Sequence, residues 1–213
     1  MKCQNAIWII SELNRIYPHT REDISFLKFN NPFEILIMTI LSAQTTDRAV
    51  NSICGDLFSK YPDPQSLSTA NISDVEHIIH PTGFYHVKAK NIIETSKLLC
   101  LNFGGIVPDT INELMSLPGV GRKTANIVMS HAFSKFVGIA VDTHVGRISR
   151  RIGFSDYLDP NKVEQDLMQL FPKNLWEDIN YVLICHGRSI CKSKQPLCNL
   201  CNISSKCRLY NYR

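Results

Sequence analysis

Residues 117–125 form the most specific motif of the chain and read Leu117, Pro118, Gly119, Val120, Gly121, Arg122, Lys123, Thr124, Ala125. Two glycines one residue apart remove side chains where a backbone must turn sharply or approach another chain closely. The residues after them have a helical pattern, so the amides that begin that helix form a natural phosphate site. A tight turn between packed helices is the plainer reading of two such glycines, but the whole string is more specific. It predicts a helix-hairpin-helix element that binds DNA through its backbone without reading base sequence.

Lys123 and Asp142 are the candidate catalytic pair. Lys123 falls in the first turn of its helix, where the positive end of the dipole favours the neutral amine that a Schiff-base nucleophile requires. Asp142 lies nineteen residues further on, just before a helical face, where a lone Asp is most often an N-cap. The two roles are compatible, because a capping carboxylate accepts amide hydrogen bonds that favour its charged form. Such a group can stabilise positive charge developing on a sugar or help to deprotonate a nucleophile.

Four cysteines close a compact loop near the C-terminus, and we call them the cysteine quartet: Cys191, Cys198, Cys201 and Cys207. Four thiolates suit either tetrahedral zinc or an iron-sulfur cluster. Structural zinc more often uses two CxxC pairs and only one occurs here, so the residues by themselves favour the cluster only slightly. The remaining cysteines fit no ligand pattern and are predicted to be core or incidental residues: Cys3, Cys54, Cys100 and Cys185.

The rest of the sequence carries the start and stop signals of α-helices. Asn31 and Pro32 open a buried helix over 33–41, and a longer one from about Lys88 ends at Gly104. Further helices are predicted from Arg122 and after Asp142, Asp159 and Asn174, and capping boxes are predicted at Ser73 with Glu76 and at Thr110 with Glu113. No alternating strand pattern appears, so the predicted fold class is all-α.

Composition and charge exclude several classes of protein. The longest apolar stretch, 35–41, is far shorter than the roughly 20 residues of a membrane span, and no segment resembles a secretion signal. We therefore expect an intracellular protein whose eight cysteines are not paired as disulfides. No acidic residue occurs from Ile179 to Arg213, a stretch that carries six basic ones, and a local positive face is expected there.

With the hairpin, the segment Val141 to His144 and the cysteine quartet together, the sequence closely resembles the endonuclease III family of DNA glycosylases with lyase activity. The resemblance runs nearly end to end and includes 41–47 and 83–85. It implies two helical domains with a DNA-binding cleft between them. Residues 25–135 would form a six-helix barrel with its helix-hairpin-helix near 111–133, and 1–24 with 136–213 would form an iron-sulfur cluster domain. It also implies that the quartet binds one 4Fe-4S cluster per chain.

The resemblance also implies the substrate and the chemistry. The expected partner is double-stranded DNA with oxidised or ring-damaged pyrimidines or with abasic sites, bound by a monomer that acts in the cytoplasm at the nucleoid. Lys123 would attack the sugar C1′ of a flipped-out nucleotide and displace the base. The resulting imine would then cleave the strand 3′ to the site by β-elimination, and Asp142 would assist both phases.

Further residues are expected to contact the DNA. Gln44 and Phe84, the latter where many relatives carry Leu, would fill the gap that the flipped nucleotide leaves. Without the resemblance, Gln44 reads as a loop amide and Phe84 as a core aromatic. Gly119, Gly121 and Arg122 belong to the hairpin. Phosphate contacts are expected from His144 and Arg147, against a local hydrogen bond or a solvated helix face.

Two other functions compete with this one. An adenine-specific mismatch glycosylase of the same fold lacks the lysine nucleophile and usually has an additional domain, so Lys123 argues against it. A non-catalytic module would use the hairpin and a structural metal only to hold DNA. Trapping of a covalent complex separates the second from the enzyme.

Overall fold

In a computed structural model, residues 3–20 and 25–211 are described, and the described part of the chain is helical without any strand. This confirms the predicted all-α class. The chain divides into two compact units, one made of Met1–Ser25 with Gly138–Arg213 and the other of Phe26–Val137. The divisions fall one and two residues from the predicted domain boundaries. Arg213, the last residue of the predicted basic stretch, lies outside the described residues.

The unit Phe26–Val137 contains seven α-helices in its described residues: α2 (Pro32–Leu41), α3 (Asp47–Lys60), α4 (Pro64–Ser68), α5 (Ile72–Ile79), α6 (Tyr85–Phe103), α7 (Ile111–Met115) and α8 (Arg122–Phe133). Helix α2 is apolar on nearly every side and nine of its ten residues are buried, and α3, α6 and α8 pack against it. A 3₁₀ turn over His80–Thr82 precedes α6.

Local capping chemistry explains where these helices begin and end. Asn31 caps α2, its side chain accepting from the Glu34 amide, and Pro32 takes the first helical position. Helix α6 ends at Gly104, which adopts the left-handed conformation. The predicted capping box at Ser73 was wrong, because Asn71 caps α5 by accepting from the Ser73 amide. Helix α6 also starts three residues before the predicted Lys88, since no side-chain cap marks its beginning.

The other unit contains five α-helices in its described residues: α1 (Cys3–Ile16), α9 (Thr143–Ile152), α10 (Pro160–Leu170), α11 (Trp176–Ser189) and α12 (Arg208–Asn211). Helix α1 was not predicted, although Ala6, Ile9, Ile10 and Leu13 have helical spacing and are fully buried. Short 3₁₀ turns occupy Cys198–Leu200 and Ser204–Lys206. None of the helices in the described ranges combines the length and the apolar character that crossing a membrane takes.

Candidate functional site

The hairpin predicted from the two glycines joins α7 to α8. Its turn is closed by the Val120 amide, which donates to the Leu117 carbonyl at 3.1 Å. Gly119 has a φ of 76°, and a Cβ there would lie 3.0 Å from Asn91 Nδ2 and 3.1 Å from Ile40 Cγ2. Both the backbone conformation and the packing therefore require glycine at this position.

Gly121 plays a different part, because it begins α8 with an extended backbone and has open space where a Cβ would be. Having no side chain, it cannot cap the helix, so the first-turn amides of Lys123 and Thr124 have no acceptor among the described residues. Arg122 is half-buried and Lys123 is exposed. No hydrogen bond or ion pair holds the Lys123 amine within the described ranges. An accessible amine thus stands beside an open helix N-terminus, which favours anions.

Helix α6 holds the hairpin from behind. The Thr95 hydroxyl, fully buried, donates to the carbonyl of Pro118 at 2.9 Å. Asn91, one turn earlier on α6, packs against Gly119. These contacts fix the turn relative to a nineteen-residue helix, so the hairpin is a rigid element of its unit.

Gln44 and Phe84 share an unusual backbone. Among the described residues only three that are not glycine have positive φ: Gln44 at 53°, Phe84 at 50° and Ser134 at 53°. Both predicted gap-filling residues are exposed, and Phe84 is 68% exposed. The alternative reading of Phe84 as a core aromatic is therefore wrong. Strained backbone at an exposed aromatic residue is typical of a ligand contact.

Asp142 caps α9, as its position predicted. Its Oδ1 accepts from the Val145 amide at 2.8 Å, while Oδ2 lies 3.3 Å from His144 Nδ1. The Asp142 side chain is only 15% exposed. The carboxylate is therefore held in place, and His144 makes the local hydrogen bond that the sequence had left as an alternative to a phosphate contact.

Arg147 faces the start of the quartet loop. Its Nη2 donates to the carbonyls of Cys191 at 3.1 Å and Gly187 at 3.4 Å, and burial lowers the pKa of its guanidinium. Gly187 allows this approach, because a Cβ there would lie 3.0 Å from Arg147 Nη2 and 2.8 Å from Ile148 Cδ1. The geometry thus gives Arg147 a loop-holding role in addition to the predicted phosphate contact.

The cysteine quartet lines one pocket that is partly open to solvent, together with apolar residues such as Ile152, Leu197 and Ile203. All four thiols are half-buried, and none of them forms a disulfide. Burial raises the pKa of the Cys201 and Cys207 thiols. Nowhere in 3–20 and 25–211 do three or more His, Cys, Asp or Glu side chains converge on a point that could hold a single metal ion. Four half-buried thiols around one pocket form a ligand set that suits either a zinc ion or an iron-sulfur cluster.

Two residues that the sequence analysis missed hold the quartet in place. Arg151 donates to the carbonyls of Lys192 at 2.7 Å and Ser193 at 2.6 Å and approaches Cys191 Sγ at 3.5 Å. His186 is buried, its Nε2 lies 3.7 Å from Cys201 Sγ, and burial lowers its pKa to about 4. The sequence does not indicate these roles, because each residue contacts a partner that is fifteen or more positions away.

The predicted positive face near the C-terminus is reduced by internal contacts. The Lys206 amine lies 4.2 Å from the centre of the Trp8 ring. Arg208 pairs with Asp156 and donates to the Arg150 carbonyl at 2.7 Å. Lys192 and Lys194 remain exposed. Part of the basic stretch therefore stabilises its own unit.

Known proteins resemble the chain over nearly all of its length. Residues 37–173 match the family described as HhH-GPD superfamily base excision DNA repair protein. The chain is 42% identical over 206 residues to endonuclease III of Synechocystis sp., covering 97% of this chain and 93% of that one. It is 43% identical to endonuclease III of Thermotoga maritima, with 87% of each chain covered. A trapped endonuclease III-DNA covalent intermediate superimposes with a TM-score of 0.91 at 39% identity, covering 100% of this chain and 99% of the other.

Proposed function

The chain belongs to the endonuclease III family within the HhH-GPD superfamily of base excision DNA repair proteins, and on this premise we propose that Lys123 and Asp142 carry its chemistry. The enzyme is a bifunctional DNA glycosylase and abasic-site lyase. It removes oxidised or ring-damaged pyrimidines from double-stranded DNA and cleaves the strand by β-elimination. The observation that carries the assignment of Lys123 is its exposed amine in the first turn of α8, directly after the open start at Gly121.

Each of the two residues has a chemical task that its surroundings support. The Lys123 amine attacks the sugar C1′ and the base departs. The C1′–O4′ bond then breaks, O4′ takes up a proton as the sugar ring opens, and the C1′–N bond becomes an imine. The iminium form acidifies the C2′ hydrogen, so its removal expels the 3′ phosphate oxygen. The Asp142 carboxylate, fixed by the Val145 amide, stabilises positive charge on the sugar and assists deprotonation of the amine.

Borohydride trapping tests the nucleophile. The wild-type protein should give a covalent complex with DNA bearing an abasic site, because borohydride reduces the imine to a stable amine. Lys123→Ala should give none, and its strand cleavage should fall by at least about 10⁴-fold. Lys90→Ala, which removes an exposed lysine of the same unit, is the matched control and should trap normally. A wild type that cannot be trapped would mean a DNA-holding module without lyase activity.

The proposed DNA contacts divide into two groups. Gln44 and Phe84 fill the gap left by the flipped nucleotide, supported by their exposure and left-handed backbone. Gly119, Gly121 and Arg122 with their neighbouring amides bind phosphate, and His144 and Arg147 are proposed to contribute from their own unit. Action on genomic DNA assigns the enzyme to the nucleoid in the cytoplasm.

The cysteine quartet is proposed to hold one 4Fe-4S cluster, as expected for this family. When bound, the cluster supplies a cross-link among four points of the loop that follows α11, and its role in this enzyme is structural. The support is the pocket that the four thiols share and the family to which the chain belongs. The Arg151 guanidinium beside Cys191 Sγ balances thiolate charge.

Metal analysis tests the cofactor. Protein purified without oxygen should be brown and contain iron and inorganic sulfide, because each thiolate would ligate one iron and the sulfides bridge the irons. Cys201→Ser should lose both, whereas Cys185→Ser, in the same unit but outside the quartet, should keep them. One zinc per chain without iron would contradict the cluster and leave the trapping result untouched.

A further inference from the structure

Lys88 is a buried lysine that the proposed chemistry does not use. It lies in the first turn of α6 and is only 4% exposed. Lysine is almost never buried to this extent without a partner, and burial lowers the pKa of its amine. The start of a helix also disfavours a positive charge. Burial and the helix start therefore both disfavour a charged lysine at position 88, and helix stability does not explain why a lysine is there.

The Lys88 amine has one hydrogen-bond acceptor among the described residues, the carbonyl of Thr82, at 2.8 Å. Thr82 is 1% exposed and ends the 3₁₀ turn, where its hydroxyl donates to the Ile79 carbonyl at 2.8 Å. A neutral amine and an ammonium both carry N–H groups, so the bond to Thr82 survives either protonation state. Lys88 thus ties the end of the turn to α6.

Lys88 also holds the other side of the same short segment. Its backbone amide donates to the carbonyl of Phe84 at 3.1 Å. Between the two anchored carbonyls lie Gly83 with φ 66° and Phe84 with φ 50°. A left-handed backbone at an exposed aromatic residue persists only when its surroundings fix it. The Gly83 amide also donates to the His80 carbonyl at 3.2 Å, and Lys88 adds the side-chain bond to this segment that comes from α6.

A second buried polar group on α6 acts in the same way on the other DNA-facing turn. Thr95 lies seven residues after Lys88, two helical turns along the same face, and donates to the Pro118 carbonyl of the hairpin. One face of α6 therefore carries two hydrogen-bond donors, each directed at the carbonyl of a turn. The phosphate-binding turn and the gap-filling turn are held by a common rigid helix.

We infer that Lys88 is a positioning residue for the reaction: it holds the Thr82–Phe84 segment so that the Phe84 ring is presented to the gap left by the flipped nucleotide. The inference rests on the proposed role of Phe84. Lys88 does not touch the substrate, and its effect on excision passes through Phe84. Preorganisation of this kind matters because a misplacement of about 1 Å far from the reacting atoms can cost a factor of about 100 in rate.

Lys88→Met tests the inference, since methionine keeps the apolar stem and loses only the donor. Single-turnover excision should fall by about 10- to 100-fold, with DNA affinity nearly unchanged. The fluorescence rise of 2-aminopurine beside the lesion, which reports unstacking, should shrink as well. Lys90→Met, which removes an exposed lysine on another face of α6, is the matched control and should change neither readout.

A double-mutant cycle distinguishes positioning from general damage. In a Phe84→Ala background, Lys88→Met should cost almost nothing further, because its route of action is already gone. An equal loss in both backgrounds would overturn the inference, as would full excision by Lys88→Met. If Lys88→Met does not fold, the same cycle is run with Lys88→Gln, whose shorter side chain cannot reach Thr82.

The proposed role of Phe84 is judged separately by Phe84→Ala alone. If that variant excises and unstacks as the wild type does, Phe84 is not the gap-filling residue and the inference about Lys88 falls with it. If Phe84→Ala is impaired and Lys88→Met is not, only the inference about Lys88 falls. Borohydride trapping by Lys123 is expected in every one of these variants.

Discussion

Helices α8 and α9 each begin at a residue next to the proposed chemistry, and they begin in opposite ways. Helix α8 starts at Gly121, which has no side chain to cap it, whereas α9 starts at Asp142, whose carboxylate accepts from the Val145 amide at 2.8 Å. The open start leaves amides for an external anion. The closed start uses its amide to hold the carboxylate that we propose for catalysis. In the proposed mechanism, the same helix-end physics serves substrate binding in one unit and catalytic geometry in the other.

The largest expected effect comes from removing the charge at the closed start. Asp142→Asn keeps a good cap, so stability should stay within about 0.5 kcal/mol of the wild type. Base excision should fall by about 10²- to 10⁴-fold, because the neutral amide neither stabilises positive charge nor accepts a proton. Single-turnover excision and thermal unfolding measure the two quantities, with DNA binding retained.

Asp159→Asn is the matched control for that change. Asp159 caps α10 in the same unit, its side chain accepting from the Asn161 amide. The substitution removes one negative charge from a helix cap and should leave excision unchanged. Unchanged excision in Asp142→Asn as well would mean that Asp142 is only a cap.

The next effect comes from closing the open start. Gly121→Asp gives α8 the cap that α9 has, and the backbone there is extended with open space for a side chain. Thermal stability should hold or rise, while affinity for abasic-site DNA should fall by about 10- to 100-fold because the carboxylate repels phosphate. Fluorescence anisotropy at fixed salt measures the affinity.

Gly121→Asn separates the two parts of this loss. Asparagine caps the helix without charge, so any loss of affinity reports the amides that it occupies. A Gly121→Asp variant that binds DNA as tightly as the wild type would show that the start of α8 does not contact phosphate.

The smallest effect concerns the turn that leads into the open start. Gly119→Ala should lower the free energy of unfolding by about 1–3 kcal/mol, because alanine is strained at φ 76° and its Cβ would press on Asn91 and Ile40. Urea unfolding measures the change. Gly105→Ala isolates the backbone part, since Gly105 has φ 81° and no atom within 4 Å of a Cβ. Equal losses in both variants would mean that the packing of Gly119 contributes nothing.

The elements that the sequence predicted well are those governed by neighbours along the chain. Asn31 with Pro32, Asp142 and Asp159 each cap the helix that follows, because a cap needs only the amide two or three residues ahead. The all-α class and the hairpin turn belong to this group. Asn71 was missed as a cap because Ser73 and Glu76 offered the same local pattern two residues later.

For the candidate site, the sequence predicted which residues to consider better than it predicted their contacts. The backbone strain and exposure of Phe84 depend on the 3₁₀ turn and on Lys88. The sequence alone does not show where this turn and the Lys88 side chain lie relative to Phe84. For Arg147 the sequence predicts a phosphate contact, with a solvated helix face as the alternative, yet its Nη2 donates to carbonyls forty and forty-four residues away. The hydrogen-bond partners of a long side chain depend on how the helices pack, so they are not evident from its position in the sequence.

The sequence by itself determined the helical class, the two glycines of the hairpin and the residue types available for chemistry: an amine, a carboxylate and four thiols. Turns and caps are settled within a few residues, so they can be read before folding. Only the packing of the helices brought the four thiols to one pocket and turned the Lys88 and Arg151 side chains toward loop carbonyls rather than solvent. Those outcomes depend on which distant groups are buried together, because burial makes each unpaired donor or acceptor costly enough to require a partner.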